Sequence, residues 1–352
     1  VTDMRPRIFW FRFCEKPGDT PALAGVTIGR DGVKLRTRVV GALMAGALMG
    51  ASGLAHAATD EDISAPGPLG LLKGTLTRAG NNAPVMLILP GSGPTDRDGN
   101  NPLGVKAATY KLLAEGLAAQ GISSVRVDKR GLFASLAAVA NGDSVTVDNY
   151  VQDTRNWMTS IQKQTGAHCV WLMGHSEGGL IALATAADNP AQICGVVLVA
   201  TSGRRANDLL KAQMAKTPLS SQVNRIVDAL ASGQQVDVSA EPPRLRAMFR
   251  PSIQGFWVSA FSYDPTDLIA KIKLPVLIMQ GERDLQVGVE DAQKLKAADP
   301  AAKLVLLPDT NHVLKTVSSD ITRANLATYA DPNMPLAPGV VDTIAGFIKK
   351  TP

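Results

Sequence analysis

Aromatic side chains make up only 5% of this sequence and no long run of like charges breaks it, so an extended nucleic-acid surface is not expected. Three cysteines in 352 residues are too few for a disulfide scaffold. A composition of 45% hydrophobic and 19% charged residues excludes a disordered tail or a collagen and leaves enough apolar mass for a sizeable core. The net charge of +5 is also less than it looks, because residues 1–57 hold eight Lys/Arg against four Asp/Glu. The remainder, with 28 basic and 27 acidic side chains, is nearly neutral. The pI of about 9.1 therefore says little about the partners of the part that folds, and nucleic acid is set aside as one.

Lys34, Arg36 and Arg38 precede an apolar run from Val39 to Leu54, followed by Ala55-His56-Ala57 and then acidic Asp60, Glu61 and Asp62. A basic start, a short apolar middle and small residues at the end make the order of a secretory signal peptide, and the run is shorter than the about 20 residues a membrane span needs. The expectation is a leader over 1–57, with the signal at 33–57, a translation start near Val33 and cleavage after Ala57. An uncleaved anchor is the alternative. Cleavage predicts a periplasmic or secreted protein without a stable membrane anchor. Cys14 leaves with the leader, whereas Cys169 and Cys194 each open an apolar run. If those runs are neighbouring parallel strands, the two cysteines meet at one edge, as a disulfide in an oxidising compartment or as two buried thiols.

From Gly67 onward, apolar runs alternate with amphipathic helical patterns. Val85 to Leu89, Ile122 to Val127, Val170 to Met173, Val196 to Val199, Val276 to Met279 and Leu304 to Leu307 are short and nearly all apolar, the pattern of strands buried on both faces. Helical stretches such as Ala107 to Ala119 and Val147 to Ile161 supply parallel crossovers, and Leu71 to Thr77 reads as an antiparallel edge strand. The fold class is α/β, with a mostly parallel open sheet flanked by helices. About 70 residues separate the strand ending near Ala200 from the one beginning near Leu274, far more than one crossover needs. They predict a helical cap at 202–263 inserted into a core made of 58–201 and 264–352.

Gly174-His175-Ser176-Glu177-Gly178 lies between a strand and a helical pattern, the context of a nucleophile elbow, where a tight turn exposes the serine hydroxyl. A serine needs an adjacent base, and after the leader only His168, His175 and His312 remain. His168 sits some 20 Å away at the other end of the strand, at about 3.3 Å per residue, and the side chain of His175 points away from its neighbour. His312, in the loop after the last core strand, is the expected base. Asp284, in Gly281-Glu282-Arg283-Asp284 at the end of another strand, is the expected acid, with Glu282 as rival and Asp309 behind it. The glycine-rich turn Leu89-Pro90-Gly91-Ser92-Gly93-Pro94 suits an oxyanion hole made by the backbone N–H groups of Ser92 and Glu177. Asp96, Arg97 and Asp98, beside Lys129 and Arg130, read as a charge network holding that turn rather than as a substrate clamp.

With GHSEG at the elbow, PGSGPTDRDGN at the oxyanion turn, VDKRG after the next strand and GERD before NH, the chain from Gly67 resembles a bacterial serine α/β-hydrolase of the esterase type. The order Ser176, Asp284, His312 is that of this superfamily. The resemblance implies an α/β-hydrolase fold and a Ser-Asp-His acyl-enzyme mechanism without metal or organic cofactor. Leu132-Phe133-Ala134-Ser135 departs from the small, glycine-bearing continuation usual after Asp128-Lys129-Arg130-Gly131.

The expected function is hydrolysis of a small-molecule carboxylic ester outside the cytoplasm. A peptidase or amidase with the same triad would need an anchor for a free amine, such as Glu241 in the cap, and a catalytically silent binding module would be betrayed by a damaged triad. Five of the 12 aromatic residues after position 57 fall between Phe249 and Tyr263. Part of that surface must be the cap's own core, and Phe256, Trp257 and Phe261 are expected to contribute to an apolar acyl pocket.

Overall fold

Each central strand sends alternate side chains to opposite faces of one sheet, and both faces are covered. The computed structural model describes residues 59–188, 190–317 and 321–351; the predicted leader and its cleavage point lie outside the described residues. The strands are β1 (Thr59–Pro66), β2 (Leu71–Arg78), β3 (Val85–Leu89), β4 (Ser123–Val127), β5 (Val170–His175), β6 (Ile193–Val199), β7 (Val276–Gly281) and β8 (Lys303–Leu307). They form a single sheet in the order β1-β2-β4-β3-β5-β6-β7-β8. Pairing is antiparallel only for β1 with β2 and β2 with β4. The remaining pairs are parallel.

The two-faced burial explains why these strands read as unbroken apolar runs. In β3, Val85, Leu87 and Leu89 enter one core and Met86 and Ile88 the other; β5, β6 and β7 divide their residues in the same way. The first core is closed by Trp157, Met158 and Ile161 of α2 (Val147–Thr165) and by Leu180, Ile181 and Leu183 of α3 (Glu177–Asp188). The second is closed by Leu113 and Leu117 of α1 (Thr109–Ala119) and by Ile344 and Ile348 of α11 (Val340–Lys350). Each such fully buried aliphatic side chain contributes about 1.5–3 kcal/mol. The ends of α2 follow from its sequence: Thr146 and Asn149 form a reciprocal capping box, and Gly166, left-handed at φ 77°, terminates it.

Leu71–Arg78 is antiparallel as expected but is not the edge. Thr59–Pro66 pairs outside it, a strand whose acidic TDEDISAP sequence carries no run of apolar residues to announce it. Between β6 and β7 lie α4 (Ala206–Met214), α5 (Ser220–Ala231), α6 (Pro243–Met248) and α7 (Pro251–Ser262), followed by α8 (Pro265–Ile269). α4 to α7 share a hydrophobic core of their own, built around Leu210, Met214, Ile226, Leu230, Leu245 and Phe249. The remaining helices are α9 (Val289–Ala298) and α10 (Thr322–Ala327). Cys169 and Cys194 are joined by a disulfide, with Cα atoms 5.2 Å apart, near the amino ends of β5 and β6. Among the described residues no helix is long and apolar enough to cross a membrane.

Candidate active site

Ser176, immediately after β5, has φ 55°, a left-handed conformation that costs a non-glycine residue of order 1–3 kcal/mol and persists only where its surroundings enforce it. Here they do. The Ser176 N–H donates to the Val199 carbonyl at 2.9 Å, and its own carbonyl accepts the Gly179 N–H at 2.9 Å. The turn is so tight that side chains are excluded around it. A Cβ on Gly178 would lie 2.2 Å from the Leu89 carbonyl oxygen, and one on Gly179 2.0 Å from Thr201 Oγ1. The strand-turn-helix reading of GHSEG is therefore met by the backbone, and the helix that leaves the turn begins at Glu177.

At the same edge of the sheet, His312 lies in the loop after β8. Its Nδ1–H donates to Asp284 Oδ2 at 2.7 Å. The Asp284 carboxylate is wholly buried; its Oδ1 accepts the backbone N–H groups of Gln286 and Val287 at 2.7 and 3.1 Å, and the Gln280 amide donates to Oδ2 at 3.3 Å. This network turns one oxygen towards the imidazole, leaving His312 Nε2 as the basic nitrogen. Of the rival carboxylates, Asp309 pairs with Arg283 at 3.3 Å and Glu282 lines a surface depression beside α9 that also reaches Asp284; the bond to the His312 ring is made by Asp284. Asp284 is not a helix cap, since Gly288 occupies that position for α9.

His175, which sequence reasoning set aside as a base, connects the parts. Its Nε2–H donates to the His312 carbonyl at 2.8 Å, its Nδ1 accepts the Tyr110 hydroxyl at 2.9 Å, and that hydroxyl accepts the Gly91 N–H at 2.9 Å. The His175 and His312 rings lie 4.8 Å apart. Burial, reinforced by the neighbouring His312, pushes the His175 imidazole down to about 3, so it is neutral and keeps one tautomer. It ties the oxyanion turn, the elbow and the loop of the base together. Tyr110 has no signal in the sequence, because only the fold brings α1 to this point.

Ser92 and Glu177 share the lining of one cavity with Ser176. Gly91, just before Ser92, is so close to the elbow that an added Cβ would sit 3.5 Å from that of Ser176. The cavity measures about 100 Å³, and its walls are mainly apolar, from Leu180, Leu210, Phe256, Trp257 and Ala260. Phe256 and Trp257 thus lie where the acyl pocket was expected. Phe261 does not: one turn further along α7 than Trp257, with its ring 5.5 Å from that one, it is buried within the cap's own core. Glu241 is also away from the cavity, bound to Arg225.

The charge network is wired differently from the sequence reading. Arg97 pairs with Asp128 at 2.6 Å and Arg130 with Asp153 at 2.6 Å. Asp98 pairs with Arg126, and Asp96 accepts the N–H groups of Asp98 and Asn100 within its own turn. Lys129 joins none of these; it reaches Gly91 and Glu177. Among the described residues no group of three or more His, Cys, Asp or Glu could hold a metal ion.

A mostly parallel sheet, a strained serine between β5 and α3, and an Asp after β7 paired with a His after β8 define a serine α/β-hydrolase. Residues 103–315 match the sequence profile of the serine aminopeptidase S33 family, and the chain belongs to that family. The esterase EstD of Thermotoga maritima is 24% identical over 265 residues, which cover 72% of this chain. The chain spans about 60% of the length of EstD. The esterase Pf2001 of Pyrococcus furiosus superposes with a TM-score of 0.53 at 15% identity, over 84% of this chain and 91% of that one. Est1E of Butyrivibrio proteoclasticus gives 0.51 at 17% identity, over 82% and 99%. At these identities the two structures speak for the fold.

Proposed function

We propose that this protein hydrolyses carboxylic esters of small molecules through an acyl-enzyme on Ser176. The observation that carries the reading is the convergence at one sheet edge of a left-handed Ser176 and a His312 held by a buried Asp284. His312 Nε2 takes the hydroxyl proton as Ser176 Oγ attacks the acyl carbon, and Asp284 stabilises the imidazolium that forms. The N–H groups of Ser92 and Glu177 receive the developing oxyanion. The imidazolium then protonates the departing alcohol, and a water activated by the same nitrogen releases the acid and regenerates the serine.

An ester is favoured over a peptide with a free amino terminus. Glu241 is occupied by Arg225, and Glu177, which does line the cavity, faces Lys129, so neither carboxylate is open to an ammonium group. The bonded Cys169 and Cys194, together with the signal-peptide order of residues 33–57, support a periplasmic or secreted location. Purified protein should hydrolyse aryl esters, leave the matching aryl amides essentially intact, and be inactivated by a serine-directed phosphonate recovered on Ser176. Turnover of aminoacyl amides above that of the esters would replace this reading by the peptidase one, and absence of turnover and labelling would leave a binding module.

A further inference from the structure

Lys129 follows β4 by two residues, Gly91 follows β3 and Glu177 follows β5, and these are three neighbouring strands of the sheet. The lysine side chain is almost wholly buried. Its Nζ donates to the Gly91 carbonyl at 2.8 Å and lies 3.4 Å from Glu177 Oε1. The face of the Tyr150 ring lies 5.5 Å away. The shorter contact goes to a neutral carbonyl although a carboxylate is within reach, so an ion pair alone does not account for the position of this cation.

The Gly91 carbonyl belongs to the same peptide unit as the Ser92 N–H. That unit is trans, since the chain has no cis peptide among its described residues, and in a trans peptide C=O and N–H point in opposite directions. An ammonium on the oxygen therefore aims the N–H away from Lys129. It also draws electron density towards the oxygen, making the N–H a stronger donor in a site with little water to screen the charge. The Gly91 N–H, in the preceding peptide unit, is fixed by Tyr110, so the residue before Ser92 is held at both its N–H and its carbonyl. The second proposed oxyanion donor is the backbone of Glu177, whose side chain meets the same ammonium.

We propose that Lys129 is a positioning residue for the reaction: one buried cation spans three strands, orients and polarises the Ser92 N–H, and locks the spacing between the two oxyanion donors. This inference rests on the proposed role of Ser92 and Glu177 in an acyl transfer at Ser176. It predicts an effect on the tetrahedral state rather than on substrate capture, because the lysine meets the far side of the Gly91–Ser92 peptide and the Glu177 side chain and is not among the residues lining the cavity.

Lys129→Met keeps the aliphatic stem and removes the charge. It is expected to lower kcat by about 10- to 100-fold, less than the roughly 10²–10³ lost when an oxyanion donor is deleted outright, with KM within threefold. Affinity for an aryl trifluoromethyl ketone, which forms a tetrahedral adduct with an oxyanion, should fall by the same factor as kcat/KM. Affinity for the ether analogue of the substrate, which has no carbonyl, should be unchanged. Lys129→Arg, which retains a cation for the Gly91 carbonyl, should recover most of the loss. If the Met variant does not fold, Lys129→Gln takes its place, still able to donate to that carbonyl but uncharged, with an expected loss of at least fivefold in kcat. A folded Met or Gln variant with kcat within twofold of wild type, or with ketone and ether affinities lost together, would overturn the role. Phosphonate labelling of wild-type Ser176 separates the two ideas: labelling with an unaltered ketone affinity in the variant defeats the Lys129 inference alone, whereas no labelling of the wild type defeats both.

Discussion

If the proposed function holds and the cavity beside Ser176 receives the acyl group, it sets a chain-length limit that can be calculated. Its volume of about 100 Å³ is smaller than the roughly 150 Å³ of an apolar cavity that accommodates benzene, so it has room for a chain of a few carbons. Each methylene buried is worth about 0.8 kcal/mol. Going from acetate to butyrate adds two, or about 1.6 kcal/mol, which is roughly 15-fold in kcat/KM if transition-state binding gains all of it. Octanoate would add about 3 kcal/mol more if it fitted, but the wall formed by Phe256 and Trp257 stands in its way. The wild-type profile should therefore peak near butyrate. Phe256 is the residue to truncate, because it lies at the cavity and is only half-buried. Trp257, by contrast, is built into the cap core and donates its indole N–H to the Met248 carbonyl at 2.9 Å; its removal would cost about 3–5 kcal/mol of stability. Phe256→Ala should raise kcat/KM for the octanoate relative to the butyrate aryl ester by about 1–3 kcal/mol, 5- to 150-fold. Rates rising steadily through octanoate in the wild type, or a folded variant with an unchanged profile, would refute the cavity argument.

Other outcomes test the frame around that cavity. Ser176→Ala should reduce kcat by about 10⁴ to 10⁶ in a folded protein, as read by aryl ester turnover and circular dichroism. Asp284→Asn should cost about 10⁴ through the wrong imidazole tautomer while Glu282→Gln stays within a few fold; the reverse ranking in kcat would move the acid. Reducing the Cys169–Cys194 bond, which closes a loop with a sequence separation of 25, should lower stability by roughly 3–4 kcal/mol in urea titrations with and without reductant. Since the folded protein holds His175 at about 3, the unfolded chain, with a histidine near its ordinary 6.5, binds a proton the folded one refuses. Stability should therefore fall as pH falls from about 6.5 towards 3, by up to about 1.4 kcal/mol per pH unit, and His175→Asn should flatten that limb in urea titrations across the range.

Strands buried on both faces are legible without a structure because a polar side chain on either side needs a partner and is therefore rare, as in β3, β5, β6 and β7. β4, which buries Ser123, Ser124 and Arg126, and the edge strand β8 are the less regular of the six runs, which place the sheet within a residue or two at most ends. The elbow is equally legible, since its glycines and serine must be consecutive in the chain. Chain order and strand ends were then enough to put Ser176, Asp284 and His312 at one edge, because in a parallel sheet all carboxyl ends face the same way. What depends on neighbours distant in sequence was not legible. The acidic edge strand Thr59–Pro66 buries only Ile63 and Ala65 and is otherwise held by its partner's backbone and by Asp60 and Glu61 pairing with Arg126 and Arg78, which leaves too short an apolar pattern to read. Lys129 stands beside Asp128 and Arg130 in the chain, yet in the sheet its neighbours are Gly91 and Glu177, and only the order of β4, β3 and β5 decides that. Helical spacing puts Trp257 and Phe261 on nearly the same side of α7. Whether a ring there meets the cap core or the cavity is fixed by how α7 seats against α5, a choice made by packing volume between elements rather than by any property of the rings themselves.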